Sequence, residues 1–369
     1  MHLVSNCYIH IPFCDKICSY CDFCKMYKYE KFVDTYLDAL EREIKSIYKG
    51  EVLETIYIGG GTPSCLSIKQ LKRLFEMLSI FKRSNNCEYT IENNFESIDK
   101  EKLELYKSVG INRLSFGIET TNKEYLKLLE RALDLDKVKD TIKICRELGF
   151  KNINVDLMYA LPNESIEDLE TDLKFIYSLN VEHISTYSLI IEDHTKLGIN
   201  NIKNISEDLD YEMYKYICES MKSNGYKHYE ISNFSREGFY SKHNTCYWDN
   251  NNYYGFGLGA SSYIDNMRIT NTRSLDKYKD NNYVKEVEYL TIEDTMEYEV
   301  MLNLRKSEGI DLVRFKEKYN NELKEVYDYS DLIILGVLKL VNNHLYISED
   351  KWYISNSIIV DVLERKIYG

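Results

Sequence analysis

Short runs dominated by strand-forming residues recur through the first half of the chain, at 7–13, 55–59, 88–92, 113–117, 153–157 and 183–189. The segments between them have helical periodicity. Phe32, Tyr36, Leu40, Ile44 and Ile47 return every three or four residues over polar intervening positions, which predicts an amphipathic helix. Ser165 and Asp168 have the spacing of a capping box, and Ile166, Leu169, Leu173 and Ile176 form the apolar stripe of the helix it opens. Strands alternating with helices predict βα units and a parallel sheet. Right-handed crossovers can close such a sheet, wholly or partly, into a barrel whose active sites gather at the carboxyl ends of the strands. Spacing alone leaves a doubly wound open sheet as the alternative.

The pattern changes beyond about Ser206, and after about Asp294 it predicts a helical segment, a hairpin at 345–355 and a final helix. The expected organisation is a barrel over 1–205, a covering extension over 206–285, and a mostly helical, winged-helix-like domain over 286–369.

Composition changes this picture little. Of the 369 residues, 44% are hydrophobic and 29% charged, as in a globular protein with a sizeable core. The longest apolar run, 332–338, is too short for a membrane span, so no transmembrane segment and a cytoplasmic location are expected. A net charge of −13 without a basic stripe argues against nucleic acid as a partner. The 33 tyrosines read as compositional bias. Proline is more informative: only Pro12, Pro63 and Pro162 occur, where about 18 would be usual. Each lies in a short segment at the carboxyl end of an expected strand, where a fixed φ shapes a site.

Chemistry enters with four thiols in eleven residues, Cys14, Cys18, Cys21 and Cys24, directly after the first strand. Three thiolates on a four-iron cluster leave one iron open to a ligand. A zinc site using all four is the alternative, although structural zinc sites commonly join two separated knuckles. Disulfides are disfavoured, because no signal-peptide pattern is present and cytosolic thiols stay reduced. Cys7, Cys65, Cys87, Cys145, Cys218 and Cys246 are scattered, and most read as small core residues.

Other features cluster at the same strand ends. Gly59, Gly60, Gly61 and Thr62 allow close backbone approach to a ligand. Glu92 and Asp156 lie among apolar strand residues, where a carboxylate is costly unless paired or bound to ligand. Ribose hydroxyls are suitable partners. Glu119 follows the fourth strand, and Arg131 is expected in the helix after it, where by sequence alone it reads as a surface arginine.

Cys14, Cys18 and Cys21, with Tyr20 before the third thiol, resemble the signature of the radical S-adenosylmethionine (SAM) superfamily. The resemblance implies a partial (β/α)6 barrel and a [4Fe-4S] cluster whose open iron chelates the amino and carboxylate groups of SAM. An electron from the cluster would cleave the sulfonium to a 5′-deoxyadenosyl radical. Segments 8–14, 59–64, 154–158, 229–234 and 243–248 look like the oxygen-independent coproporphyrinogen III oxidase-like family. That family contains a dehydrogenase branch and a haem-chaperone branch. By resemblance Tyr8, Tyr20, Gly60, Gly61, Thr62, Glu92, Glu119, Arg131 and Asp156 fall on SAM contacts, with Arg131 on the SAM carboxylate. A reductant such as flavodoxin or ferredoxin is implied.

His243 is the candidate axial ligand to haem, with Tyr247 and Trp248 supplying stacking surface; against this, a lone histidine is more often structural. No catalytic residue is assigned. Phe23 stands where the dehydrogenase has a further cysteine, and only seven residues precede Tyr8, which favours the chaperone branch. Cys24 reads as a spare thiol. Three positions depart from the family: Glu92-Asn93-Asn94-Phe95 where relatives often have Glu-x-Asn-Pro, Glu119 for glutamine, and Leu133 for histidine. Two readings follow. In one, a haem-binding chaperone delivers haem to acceptor proteins; in the other, a radical enzyme acts on a porphyrinogen or another tetrapyrrole.

Overall fold

The computed structural model describes residues 4–367. Six strands, β1 (Asn6–Ile11), β2 (Val52–Gly60), β3 (Lys82–Asn94), β4 (Arg113–Glu119), β5 (Asn152–Tyr159) and β6 (His183–Ser188), pair in parallel and in chain order. The helices between them include α1 (Glu30–Ile47), α2 (Ile68–Leu78), α3 (Lys100–Ser108), α4 (Lys123–Leu128), α5 (Leu135–Glu147) and α6 (Ile166–Ser178). The βα reading therefore holds. After α7 (Glu207–Ser223), the chain adds β7 (Lys227–Glu230) and β8 (Asn233–Ser235), then α8 (Lys242–Trp248) and β9 (Tyr254–Phe256). β9 pairs in parallel with β1, whereas β8 pairs antiparallel with both β6 and β7. The sheet order is thus β9-β1-β2-β3-β4-β5-β6-β8-β7.

Strand side chains alternate between two environments because successive residues point to opposite faces. Ile9, Ile58, Ile91, Phe116, Val155 and Ile184 are fully buried in the main apolar core. The alternate positions carry Tyr8, Tyr57, Glu92, Ser115, Asp156 and Ser185, which form the polar interior. Sheet curvature brings these groups into mutual range: Glu92 of β3 and Asp156 of β5 both act on the Tyr187 hydroxyl of β6.

Helix α1 buries Val33, Tyr36, Leu37, Leu40 and Ile44. Phe32 is 42% exposed, so the stripe runs through Val33 rather than through Phe32. The expected capping box opens α6, with the Ser165 hydroxyl accepting from the Asp168 amide and the Asp168 carboxylate accepting from the Ser165 amide.

Residues 261–289 form a separate antiparallel sheet of β10 (Ser261–Ile264), β11 (Met267–Asn271) and β12 (Val284–Tyr289). The C-terminal region has its own core, including Val300, Phe315, Leu345, Trp352 and Val362. It combines α9 (Ile292–Asn303), β13 (Ile310–Asp311), α10 (Leu312–Tyr319), β14 (Leu338–Val341), β15 (His344–Ile347) and α11 (Ser355–Glu364). The hairpin lies earlier than expected, at 338–347, and 349–354 is a short 3-10 helix. Its turn is made by Asn342 and Asn343, with φ of 51° and 64°, values that asparagine tolerates better than most side chains. Among the described residues, no helix is long and apolar enough to cross a membrane.

Candidate cluster and SAM site

The thiol loop leaves the carboxyl end of β1. Phe13 and Cys14 form a two-residue strand paired with Met26 and Tyr27, and Met26 donates its amide to the Pro12 carbonyl at 2.7 Å. The intervening loop is tied down at Ser19, whose hydroxyl donates to the Leu128 carbonyl at 2.7 Å and whose amide donates to that of Leu129 at 3.1 Å. Cys14 is buried, while Cys18 and Cys21 are half-buried. Burial pushes the Cys14 thiol up to about 11, partly offset by a hydrogen bond from Thr62. Cys18 and Cys21 are also raised by burial, and the Arg131 guanidinium opposes the shift at Cys18. A bound metal would reverse this preference, since thiol ligands bind as thiolates. Among the described residues, no three His, Cys, Asp or Glu side chains converge as a single ion would require. A polynuclear cluster instead receives each thiolate on a different iron.

The second strand closes on this loop through its glycines. Gly61 donates to the Ile11 carbonyl and Thr62 to the Phe13 carbonyl, both at 2.8 Å. A Cβ at Gly61 would lie 2.8 Å from the Phe13 oxygen and 2.9 Å from Cys14 Sγ, so only glycine allows this approach. Gly60 has φ +120° and donates its amide to Glu92 Oε2 at 2.9 Å. The Tyr57 hydroxyl donates to Glu92 Oε1 at 2.7 Å. Burial raises Glu92 to about 7 despite these two donors, and it raises Asp156 as well. Asn154 donates to Asp156 Oδ1 at 2.7 Å.

Glu119 and Arg131 complete the ring. Glu119 adopts φ +66°, a strained value for a non-glycine residue, where the β4–β5 register shifts between Gly117 and Glu119. Burial raises its carboxyl to about 7, with Arg131 opposing the shift. Arg131 Nη1 lies 3.5 Å from Glu119 Oε1, and Nη2 donates to the Gly117 carbonyl at 2.8 Å. The arginine is neither helical nor exposed. α4 ends at Leu128, and Arg131 turns inward from the following loop with its side chain 6% exposed. Its Nε has no hydrogen-bond partner among the described residues. Tyr20 lies beside both groups, its hydroxyl bonded to Glu119.

The arrangement fits the implied cofactors. Three thiols stand near a glycine cradle that a Cβ would fill, the buried carboxylates of Glu92 and Asp156 share the sheet's polar interior, and a guanidinium retains a free donor. The departures from the family pattern are accommodated: Asn94 donates to Thr62 Oγ1 and accepts from Arg131, both at 3.4 Å, and Phe95 stacks on Phe116 at 4.7 Å. Cys24 packs against Gly259, whose Cβ would lie 2.8 Å from that of Cys24, and its carbonyl is 2.7 Å from His10 Nε2.

His243 is not with the thiols. It lies at the amino ends of the strands, where its Nδ1 is 2.7 Å from Thr55 Oγ1 and its Nε2 is 2.7 Å from the Tyr247 hydroxyl. Its ring stacks on Tyr57 at 5.0 Å. Both ring nitrogens are engaged, and Trp248 lies 5.9 Å beneath the Arg305 guanidinium. Sequence reasoning passed over Tyr57, His10 and Asn154 as site residues. The period-two rule offered a signal for Asn154, two positions before Asp156 on the same face.

The thiol loop, glycine cradle and inward carboxylates define a radical SAM protein. The Radical SAM superfamily model matches residues 8–176, and the HemN C-terminal domain model matches 290–352. Membership implies a [4Fe-4S] cluster and SAM. The chain belongs to the HemW family: it is 38% identical over 371 residues to the Bacillus subtilis protein named heme chaperone HemW, covering 96% of this chain and 98% of that one. A protein of the same name from Lactococcus lactis is 36% identical over 96% of each chain. The coproporphyrinogen III oxidase HemN from Escherichia coli shares the fold, with a TM-score of 0.85 at 23% identity over 97% of this chain and 90% of that one.

The buried acids predict a pH dependence for the metal-free protein. Glu43, Glu92 and Glu119 are raised to about 7, and Glu164 and Glu230 to about 8, all chiefly by burial. Each stabilises the fold fully below its unfolded pKa, and that contribution is lost as pH rises through the folded value. Burial lowers His10 and His228 to about 4 and His243 to about 3, so their contribution is lost as pH falls below about 6.5. Above that pH the acids dominate. Urea unfolding at about pH 6.5 and pH 8 should show a loss of roughly 2–6 kcal/mol at the higher pH. An equal or greater stability at pH 8 would contradict the assignment.

Proposed function

We propose that this chain is a radical SAM haem chaperone that holds its cluster and SAM at the barrel mouth, binds haem, and delivers it to acceptor proteins. The observation that carries this reading is the near full-length similarity to relatives named haem chaperones. Phe23 supports it, because the position is 67% exposed and carries an aromatic ring in place of the dehydrogenase's further thiol.

Cys14, Cys18 and Cys21 hold the cluster, which when bound supplies the electron for SAM cleavage. Backbone carbonyls of the glycine turn accept from the SAM ammonium, Arg131 pairs with its carboxylate, and Glu92 and Asp156 accept from ribose hydroxyls. Tyr8, bonded to His10, and Tyr20, bonded to Glu119, flank the SAM position, and Glu119 keeps Arg131 oriented. A flavodoxin- or ferredoxin-type donor supplies the reducing electron.

The test is anaerobic reconstitution followed by addition of SAM, dithionite and either coproporphyrinogen III or haem. The expected result is haem retained through gel filtration with a Soret band, and coproporphyrinogen recovered unchanged. Formation of protoporphyrinogen would overturn the chaperone reading in favour of a dehydrogenase.

A further inference from the structure

The floor of the barrel holds a positive charge that no acid of the chain pairs with. Arg113 opens β4 and is 2% exposed, so its guanidinium is enclosed by the fold. Among the described residues its side chain forms no hydrogen bond and no ion pair, and its buried Nε is left without a partner. A guanidinium keeps its charge in any protein environment, and a buried charge is expensive unless it is paired.

The unmet demand runs along one row of the sheet. Arg113 is in register with Thr90 of β3 on one side and with Asn152 of β5 on the other. Thr90 Oγ1 and Asn152 Oδ1 are also buried without a partner. Because side chains alternate along a strand, this row shares the inner face with Glu92, Asn154 and Asp156. It is far from the SAM site. Arg113 and Glu119 are the first and last residues of β4, roughly 20 Å apart at about 3.3 Å per residue, and Arg131 stands at the Glu119 end.

The groups around Arg113 do not supply an anion. His183 lies 2.6 Å from Asn154 Oδ1 through Nδ1 and 2.7 Å from the Tyr229 hydroxyl through Nε2. His243 is engaged at both nitrogens as well, and burial keeps both imidazoles neutral. Burial likewise raises the Tyr57 and Tyr229 hydroxyls, which keep their protons. Glu88, two residues before Thr90, accepts from the Lys242 and His243 amides at 3.1 and 3.0 Å, so its charge is spent on the amino end of α8. Glu92 and Asp156 feel the guanidinium without pairing with it, and burial opposes their ionisation.

A planar fork of N–H donors beside a free hydroxyl, short of one negative charge, matches a carboxylate. We infer that Arg113 binds a ligand carboxylate at the barrel floor, with the Thr90 hydroxyl donating to it. A small free carboxylate and a peripheral carboxylate of haem offer the same chemistry. Arg113 acts on the His243 imidazole, which brings the row within reach of α8. For haem as the source, the inference rests on the haem-binding reading above.

The experiment compares full-length wild type, Arg113→Gln and Arg113→Lys in two arms. In the first, thermal melting of the ligand-free protein is followed in sodium formate and in sodium chloride at equal ionic strength. Formate should raise the wild-type midpoint by a few degrees beyond chloride and leave Arg113→Gln unmoved. In chloride, Arg113→Gln should melt no lower than wild type, because it removes an unpaired charge. A lower midpoint would show that the guanidinium is already compensated, and would overturn the proposal. In the second arm, ferric haem is titrated alongside its dimethyl ester, which lacks the carboxylate charges. Wild type should bind the free acid about tenfold or more tightly than the ester; Arg113→Gln should lose that preference and Arg113→Lys keep part of it. A formate response alone assigns the site to a small carboxylate, and a haem preference assigns it to haem. Neither response in wild type, or both retained in Arg113→Gln, would overturn the proposal. Failure of wild type to bind either form of haem would overturn the chaperone reading and leave the formate arm to decide Arg113.

Discussion

A chain carrying Cys14→Ala, Cys18→Ala and Cys21→Ala together is expected to retain no iron–sulfur cluster after anaerobic reconstitution, measured as iron and acid-labile sulfide per chain. Each single variant should lose most of it, because a three-thiolate cluster has no spare protein ligand. Cys24→Ala is the control, and it should load as wild type does. Cys24 faces Gly259 and carries a neighbouring charge in Arg273, so it is committed to packing on the loop after β9. The fold should survive the triple change, since only Cys14 of the three is buried and the loop is anchored at Ser19 through backbone contacts. Full iron content in the triple variant would refute the cluster assignment. Full iron there with loss in Cys24→Ala would redraw the ligand set.

Arg131→Met should have the second largest effect. It removes the counter-charge of Glu119, whose side chain is 9% exposed, and it removes the donor proposed above for the SAM carboxylate. Breaking one side of a buried ion pair costs about 3–5 kcal/mol, because the remaining charge is left uncompensated. Glu119 responds by holding its proton, so adding Glu119→Gln to Arg131→Met should restore part of the lost stability. SAM binding should not return with it. A lost charge-assisted contact weakens affinity by roughly 10–100-fold, readable by equilibrium binding to reconstituted protein. Arg131→Lys keeps the charge without the planar fork and should lie between the two. Wild-type SAM affinity in Arg131→Met would remove the residue from the site.

Most of the barrel was legible before any coordinates. Local alternation placed all six parallel strands, and the Ser165 capping box was readable from a three-residue spacing because its bonds are made within one turn. The hairpin near the C-terminus was placed too late. An Asn-Asn turn is a weaker signal than Asn-Gly, and the apolar residues after it entered a 3-10 helix instead of a strand. Arg131 lies in a loop and not in a helix, and its local window alone reads as a surface arginine, a reading that only the family resemblance reversed, since nothing local shows that α4 stops at Leu128 and that a buried glutamate waits 3.5 Å away.

The sequence by itself determined the thiol spacing, the glycine turn, the alternation of strands with helices and the membership these imply, because all are written in neighbouring residues; the order of the strands in the sheet was left to the tertiary structure. Only the tertiary structure decided that Cys24 packs against Gly259, that both nitrogens of His243 are engaged, and that Cys218, His228 and Trp352 share one cavity. Each of those outcomes includes a contact between segments more than 100 residues apart. Such contacts are set by packing of the whole chain, and no local pattern encodes them.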